Sequence, residues 1–481
     1  MTQSVRRIIL SFVLFNFTLP VFSGNLPAPV EQALKRAGVP VSAVGVYAHE
    51  IGALQPLLAV NADMAMNPAS VMKLVTTFAG LELLGPAYTW QTVIYAHGKL
   101  ESGVLKGDLV IKGYGDPKLD LENFWSLVYR LRQTGLQKIT GDLVLDHSHY
   151  DIPREDPGAF DGQPYRTYNI LPEALLINYR TTTLHLIPQP SHNSVRVVVE
   201  PASDTLFLQN DLKLTRNRCG DWRHLLDADI LLDQDNSSRV MVKLNGTYSL
   251  HCGKRSYPLG LHDSSMYTFD LFKRLWEQQG GELHGSVVID DEAPNGLTPL
   301  KVYQSPPLAE IIRGINKYSN NIAARQLYLT LGTASATFRN PPPATLAKSE
   351  SVIKQWLASR QLNFPELVIE NGSGLSRKER ISANHMGKLL LAAFQSPVMP
   401  EFIASMPIAS VDGTMRDRLS NTAVSGLAHM KTGALNNVRA LAGYMLDQSG
   451  RRIAVVFFVN HAKAASARTA MDELVQWLYV R

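Results

Sequence analysis

Two stretches of the chain, far apart, repeat one another. "FWSLVYRLRQTGLQKITGDLVLDHS", from Phe124, reads as an amphipathic helix, a glycine turn and a Gly-initiated strand ending in acidic residues. "FDLFKRLWEQQGGELHGSVVIDDEA", from Phe269, follows the same plan. Two halves of one unit, so widely separated, imply that something is nested between them. The nested piece, roughly residues 183–261, is rich in strand-like runs such as "SVRVVVE" and "SRVMVKLNG". The expectation is an insertion within an insertion, set against chance likeness between two helix–strand units.

The segments outside this block look like one fold split in two. Near the start, "VSAVGVYAHE" and "LLAVNADMAMN" read as short strands, followed by a buried helix from Pro68 to about Leu84, with Gly85 as its stop. At the far end "LAHMKTGAL" is strand-like, "ALAGYMLD" and "IAVVFFVNH" form a hairpin turning around Gly450, and "SARTAMDELVQWLYV" is a closing helix. Between them "LAEIIRGINKYSNNIAARQLYLTLG" is helical, a proline cluster at 341–343 marks a loop, and "ENGSGLSRKERIS" is a loop of tight turns. The fold class expected is therefore α/β (α+β), with an antiparallel sheet flanked by helices and assembled from both ends. The boundaries expected are 24–95 with 297–481 for this unit, 96–182 with 262–296 for the inserted domain, and 183–261 for the nested β-rich domain.

The first residues fit neither unit. "MTQSVRR" is a charged lead, "IILSFVLFNFTLPVF" is apolar but short for a membrane span, and "VFSG" offers small residues for cleavage after Ser23. This is the pattern of a signal peptide at 1–23 and of export to the periplasm, with an uncleaved anchor as the alternative. In an oxidising compartment the only two cysteines, Cys219 and Cys252, read as one disulfide, with two reduced thiols as the alternative. A net charge of +5 with no dense Lys/Arg stripe argues against nucleic acid as a partner. No metal is expected, since two cysteines without CxxC or HExxH do not make a zinc site.

The chemistry begins in "NPASVMKLVTT", where Ser70 and Lys73 stand three residues apart on one helix face. A buried lysine is costly unless paired or neutralised. SxxK alone is weak, because Ser351 and Lys354 repeat it, and SxN occurs at Ser319–Asn321, Ser191–Asn193 and Ser382–Asn384. Lys431-Thr432-Gly433 is the only KTG. The order is the stronger signal: SxxK on a buried helix near the start, SxN in a helical region far downstream, then KTG on a strand before the last hairpin and helix. That is the order of penicillin-interacting serine acyl-transfer enzymes. Each residue type has a reason. The Ser70 hydroxyl needs a base, and Lys73 becomes one if desolvation and Lys431 lower its pKa. Ser319 can relay the proton to a leaving amine. The Asn321 amide can hold Lys73 and a substrate peptide group at once. Lys431 and Thr432 suit a carboxylate, Gly433 lets backbone lie close, and the N–H groups of Ser70 and Ala434 would form an oxyanion hole.

On these motifs, and on the blocks "GDLVIKGYGDPKL", "ITGDLVLD", "NKYSNNIAARQL", "GSGLSR" and "MPIASVDGTMRDRL", the chain resembles the class C low-molecular-mass penicillin-binding proteins. These are the D-alanyl-D-alanine carboxypeptidase/endopeptidases of the penicillin-binding protein 4 type. The resemblance implies a transpeptidase-like domain interrupted by nested inserted domains. It implies acylation of Ser70 by peptidoglycan stem peptides and by β-lactam antibiotics, and no cofactor. It also implies an inserted-domain carboxylate facing the free amine of a diamino acid, for which Asp161 is the candidate, with Arg377 at the active-site rim. Asn320 and Ala434 depart from the family pattern but supply no side chain the chemistry needs. Oligomeric state and peripheral membrane association stay open, as does the balance of carboxypeptidase against endopeptidase.

Two other readings remain. A serine β-lactamase shares the three motifs, and Glu173 with Asn178 superficially resembles the acid–amide pair such enzymes use. A catalytically silent cell-wall-binding protein could use the same scaffold.

Overall fold

The computed structural model describes residues 24–232, 239–261, 263–290, 296–334 and 343–481. The expected signal peptide at 1–23 and most of the proline cluster lie outside the described residues.

One five-stranded antiparallel sheet is built from both ends of the chain. Its order is Ala428–Leu435, Val438–Leu446, Arg452–Asn460, Val44–Glu50 and Leu58–Val60. The central strands are apolar along their whole length because both faces are covered. Alternation then sorts the side chains. Ala454, Val456 and Phe458 pack under the helices Lys73–Leu84, Leu308–Lys317, Asn321–Ala334 and Ala383–Gln395. Ile453, Val455, Phe457 and Val459 pack under the helices Ala28–Ala37 and Arg468–Tyr479. The result is three layers, with Ala428–Leu435 left as an edge strand.

The repeat unit forms a second, seven-stranded sheet. Its helices Leu121–Arg132 and Ser264–Gln278 share one apolar core over it. The strands that follow them pair with each other in parallel, Lys138–Ile139 with Glu282–Leu283 and Leu143–Asp146 with Val287–Asp290. Strands Gln91–Glu101 and Pro299–Gln304 also belong to this sheet and pair with one another. We propose that the inserted unit therefore begins at Gln91 and ends at Gln304, wider than the expected joints at 95/96 and 296/297. The nested piece makes a third sheet, between Thr182 and Leu259, with its own core. Cys219 and Cys252 are disulfide-bonded there, with Cα atoms 4.8 Å apart.

Two details around the motifs differ from the sequence reading. The helix expected from Pro68 starts instead with a 3₁₀ turn, Ala69–Met72, and becomes α-helical only at Lys73. Ala69 takes a positive φ of 46°, which breaks regular helix just before Ser70. The long helical run around Ser319 is two helices, ending at Lys317 and restarting at Asn321. Ser319 sits in the break with φ 59°. Backbone held in this region is strained for a residue with a side chain and is common where geometry serves a site.

Candidate active site

The three motifs meet where the 3₁₀ turn, the interhelical break and the edge strand converge. The strand comes close because Gly433 carries no Cβ. A Cβ there would lie 2.6 Å from the Pro68 carbonyl oxygen. The turn is also clamped by Asn460, at the end of the Arg452–Asn460 strand. Its Oδ1 accepts the Asn67 N–H (2.8 Å) and its Nδ2 donates to the Asn67 carbonyl (3.0 Å).

Lys73 has no solvent-exposed surface. Its Nζ lies 3.0 Å from Ser70 Oγ and 2.7 Å from Asn321 Oδ1, and it also bonds the Ser373 carbonyl. Burial and the nearby Lys431 charge hold its pKa well below the usual lysine range. A neutral amine has two N–H bonds and one lone pair. The two carbonyl oxygens are acceptors only, so they take the N–H bonds and leave the lone pair facing the Ser70 hydroxyl. That is the arrangement a general base requires.

Lys431 is equally buried, and burial lowers its pKa to about 7. It donates to Ser319 Oγ (3.0 Å) and to the Thr432 carbonyl (2.7 Å). Thr432 Oγ1 donates to Thr414 Oγ1 at 2.7 Å. The loop carrying Thr414 is anchored by Lys317, which bonds Asp412 Oδ2 (2.6 Å) and the Met406 carbonyl (2.9 Å).

A groove of about 400 Å³ opens over Ser70, lined by Ser319, Asn321, Ala434, Arg377, Tyr168 and Asp161 among others. Of the residues singled out from sequence, Ser70, Asp161, Ser319, Asn321, Arg377 and Ala434 thus face one space, whereas Thr432 and Gly433 are not part of its lining and Lys73 and Lys431 are buried. Asp161 is exposed and accepts from Tyr168 Oη (2.8 Å) and Asn169 Nδ2 (2.8 Å). The Tyr168 carbonyl in turn accepts from Asn321 Nδ2 at 3.4 Å. Arg377 lies over the Phe160 ring, 4.4 Å from its centroid, and donates to the Asn436 carbonyl (3.2 Å).

The competing motif copies lie elsewhere. Ser351 and Lys354 are exposed on helix Leu346–Ser359, where Lys354 pairs with Glu350. Ser382 is the N-cap of helix Ala383–Gln395. Glu173 faces Arg180, and Asn178 bonds Leu121, Thr181 and Tyr267; neither lines the groove.

Sequence reasoning took only Arg377 from the loop 370–379 and missed its contacts with Lys73 and the Ser70 turn. Its Ser373 carbonyl touches Lys73, and Gly374 lies so close that a Cβ would sit 2.0 Å from the Ala69 carbonyl oxygen. The loop is held by Glu379, a fully buried carboxyl whose Oε1 accepts the Glu370 and Asn371 N–H groups at 3.2 Å each. The signal was present, since two glycines and two serines between two acids in "ENGSGLSRKE" are unusual for a plain turn.

Known proteins share this architecture. The chain is 27% identical to D-alanyl-D-alanine carboxypeptidase DacB of Haemophilus influenzae, over 99% of this chain and 97% of that one. The crystal structure of penicillin binding protein 4 (dacB) from Haemophilus influenzae superposes with a TM-score of 0.75 at 24% identity, covering 94% of this chain and 99% of that chain. A second structure of that protein, complexed with a novel β-lactam, gives 0.72 at 24% identity, covering 95% and 100%. The family model for the D-Ala-D-Ala carboxypeptidase 3 (S13) family matches residues 26–480. With the match spanning nearly the whole chain, this protein belongs to the D-Ala-D-Ala carboxypeptidase 3 (S13) family.

Proposed function

We propose that this chain is a periplasmic serine DD-peptidase that cleaves D-alanyl-D-alanine bonds of peptidoglycan stem peptides. The observation that carries the reading is the buried, charge-suppressed Lys73 amine, 3.0 Å from Ser70 Oγ with its other bonds taken by two carbonyls. Ser70 attacks the penultimate D-alanine carbonyl as Lys73 accepts its proton. The N–H groups of Ser70 and Ala434 receive the developing oxyanion. Ser319, bonded to Lys431, passes a proton to the leaving amine. Terminal D-alanine departs, or a cross-link opens, and water then hydrolyses the acyl-serine. Lys431 and Thr432 hold the substrate carboxylate, and Asn321 holds a substrate peptide group. Asp161 meets the ammonium of the diamino acid side chain, with Arg377 as the rim of that subsite.

β-Lactams enter the same path and stop at the acyl-serine. A β-lactamase would need a second base to activate the deacylating water, and Glu173 is turned to Arg180 away from the groove. Export by a cleaved signal peptide agrees with the substrate and with the disulfide.

The test is labelled penicillin followed by peptide hydrolysis. Wild type should form a long-lived adduct that Ser70→Ala lacks. Lys73→Ala should lower acylation by about 10²-fold or more, within the range for a general base. Unchanged acylation in Lys73→Ala would overturn the base assignment. A pentapeptide and a cross-linked dimer, assayed side by side, give the balance of the two activities.

A further inference from the structure

A second cavity, of about 500 Å³, adjoins the active-site groove, and Phe160, Leu375 and Arg377 line both. It lies between the inserted-domain loop 152–160, the helix Asn321–Ala334 and the loop 370–378. Most of its wall is apolar, including Ile152, Pro157, Leu171 and Leu329.

Into this space the helix that begins with Asn321 contributes Arg325, one turn further on. Arg325 is partly buried, and its Nε is sealed from solvent without an acceptor. No described residue accepts a hydrogen bond from that Nε. A buried N–H without an acceptor keeps its desolvation cost, which a bound acceptor would relieve. Glu155, Glu379 and Glu370 act on Arg325 through space, but none of them accepts its Nε–H. Glu370 is engaged by Lys378 (2.9 Å) and Ser376 (2.6 Å), Asp156 accepts the Gly158 N–H (2.8 Å), and Glu155 stands exposed at the rim. The unmet need is for a carboxylate on a chain that can line an apolar wall.

We propose that this cavity is a further substrate subsite, in which Arg325 binds the free carboxylate of the acidic residue preceding the diamino acid in the stem peptide. The inference rests on the DD-peptidase reading, because the shared wall of Phe160, Leu375 and Arg377 continues the groove over Ser70. Arg325 also bears on Lys73, whose pKa its charge lowers, so its loss slows acylation by every substrate to a similar extent. The subsite is therefore read as a ratio between substrates.

The experiment compares kcat/KM for three donors: a tripeptide ending in D-Ala-D-Ala that begins at the diamino acid, the full pentapeptide, and the pentapeptide with its acidic residue amidated. Wild type should favour the pentapeptide over the tripeptide by tenfold or more, through KM. Arg325→Gln should remove that preference, and amidation of the substrate should remove it equally in wild type. In Arg325→Gln, amidation should then have no further effect. Ala159→Trp, at the exposed rim of the cavity, should also lower the ratio and does not depend on the arginine variant folding. A pentapeptide-to-tripeptide ratio that is unchanged by Arg325→Gln or by amidation would overturn the subsite. Failure of all three peptides, together with no penicillin adduct, would instead overturn the peptidase reading.

Discussion

Two buried lysines and one buried glutamate carry opposite obligations at the scale of single residues. Lys431 has a folded pKa of about 7 against an ordinary 10.5. Between those values the unfolded chain binds the proton that the folded chain has lost, so stability rises with pH across that window. The cost is complete below pH 7 and gone above pH 10.5. Lys431→Met should therefore raise the melting temperature at pH 6 and leave it nearly unchanged at pH 11. The gain at pH 6 is roughly a few kcal/mol, since each tenfold fall in proton affinity is worth about 1.36 kcal/mol. Substrate carboxylate binding should weaken at the same time. A larger gain at pH 11 than at pH 6 would contradict the assignment. Glu379 runs the other way, with burial raising its pKa to about 7. Its charge, present above that pH, raises the pKa of Lys73. Glu379→Gln should move the acid limb of the acylation profile to lower pH by about one pH unit, the size expected of a nearby charge. A stationary limb would show that the residue only holds the loop. The lowered pKa of Lys73 beside Lys431 was legible in the motifs, but the part played by Glu379 was not. The motif names Lys73 and Lys431, but the carboxyl that faces one of them comes from a loop hundreds of residues later.

At the scale of elements, the repeat was legible but undercounted. Its two copies contribute strands Leu143–Asp146 and Val287–Asp290, yet a third strand, Val104–Gly113, lies in register with them. Leu109, Leu143 and Val287 align across the three. The Asp142 N–H donates to Asp108 Oδ1 (2.8 Å), and the Ser286 N–H to Asp142 Oδ1 (2.7 Å). "GDLV" at 107 and again at 141 was the missed sign, hidden because the first copy follows a strand rather than a helix. The helix break at Ser319 was not legible either. Apolar periodicity continues through it, and the local turn is set by tertiary contact rather than propensity. The loop 370–379 gives the clearest prediction at this scale. Gly374 has φ 81° and meets the Ala69 carbonyl, so Gly374→Ala must push the nucleophile turn and the loop apart. Acylation should fall by about 10²-fold or more, as about 1 Å of misplacement can cost. The melting temperature should fall by only a few degrees. Equal loss of folding and acylation would mean that the loop is structural support and no more.

Across the whole molecule, the three sheets each carry their own periodicity and their own core. The joints were less legible, since a strand on either side of a boundary has no mark of which sheet it joins. Separate cores also predict separate sensitivities. Reducing the Cys219–Cys252 bond should destabilise the third sheet by about 3 kcal/mol, typical for a native disulfide. It should leave the rate of penicillin acylation unchanged, and a matching loss of acylation would show that the sheets are coupled. The sheet that holds the active site has a different consequence. Its strand Val44–Glu50 pairs with Arg452–Asn460, Val44 opposite Val459, with nearly the entire chain between them. Pairings of such long range form slowly, after local units have condensed and shortened the distance to be closed. Asn460 then clamps Asn67 beside the nucleophile. During refolding, the capacity to be acylated should therefore appear last, lagging the recovery of secondary structure. A newly made chain would be blind to both substrate and antibiotic until its final strand is in place.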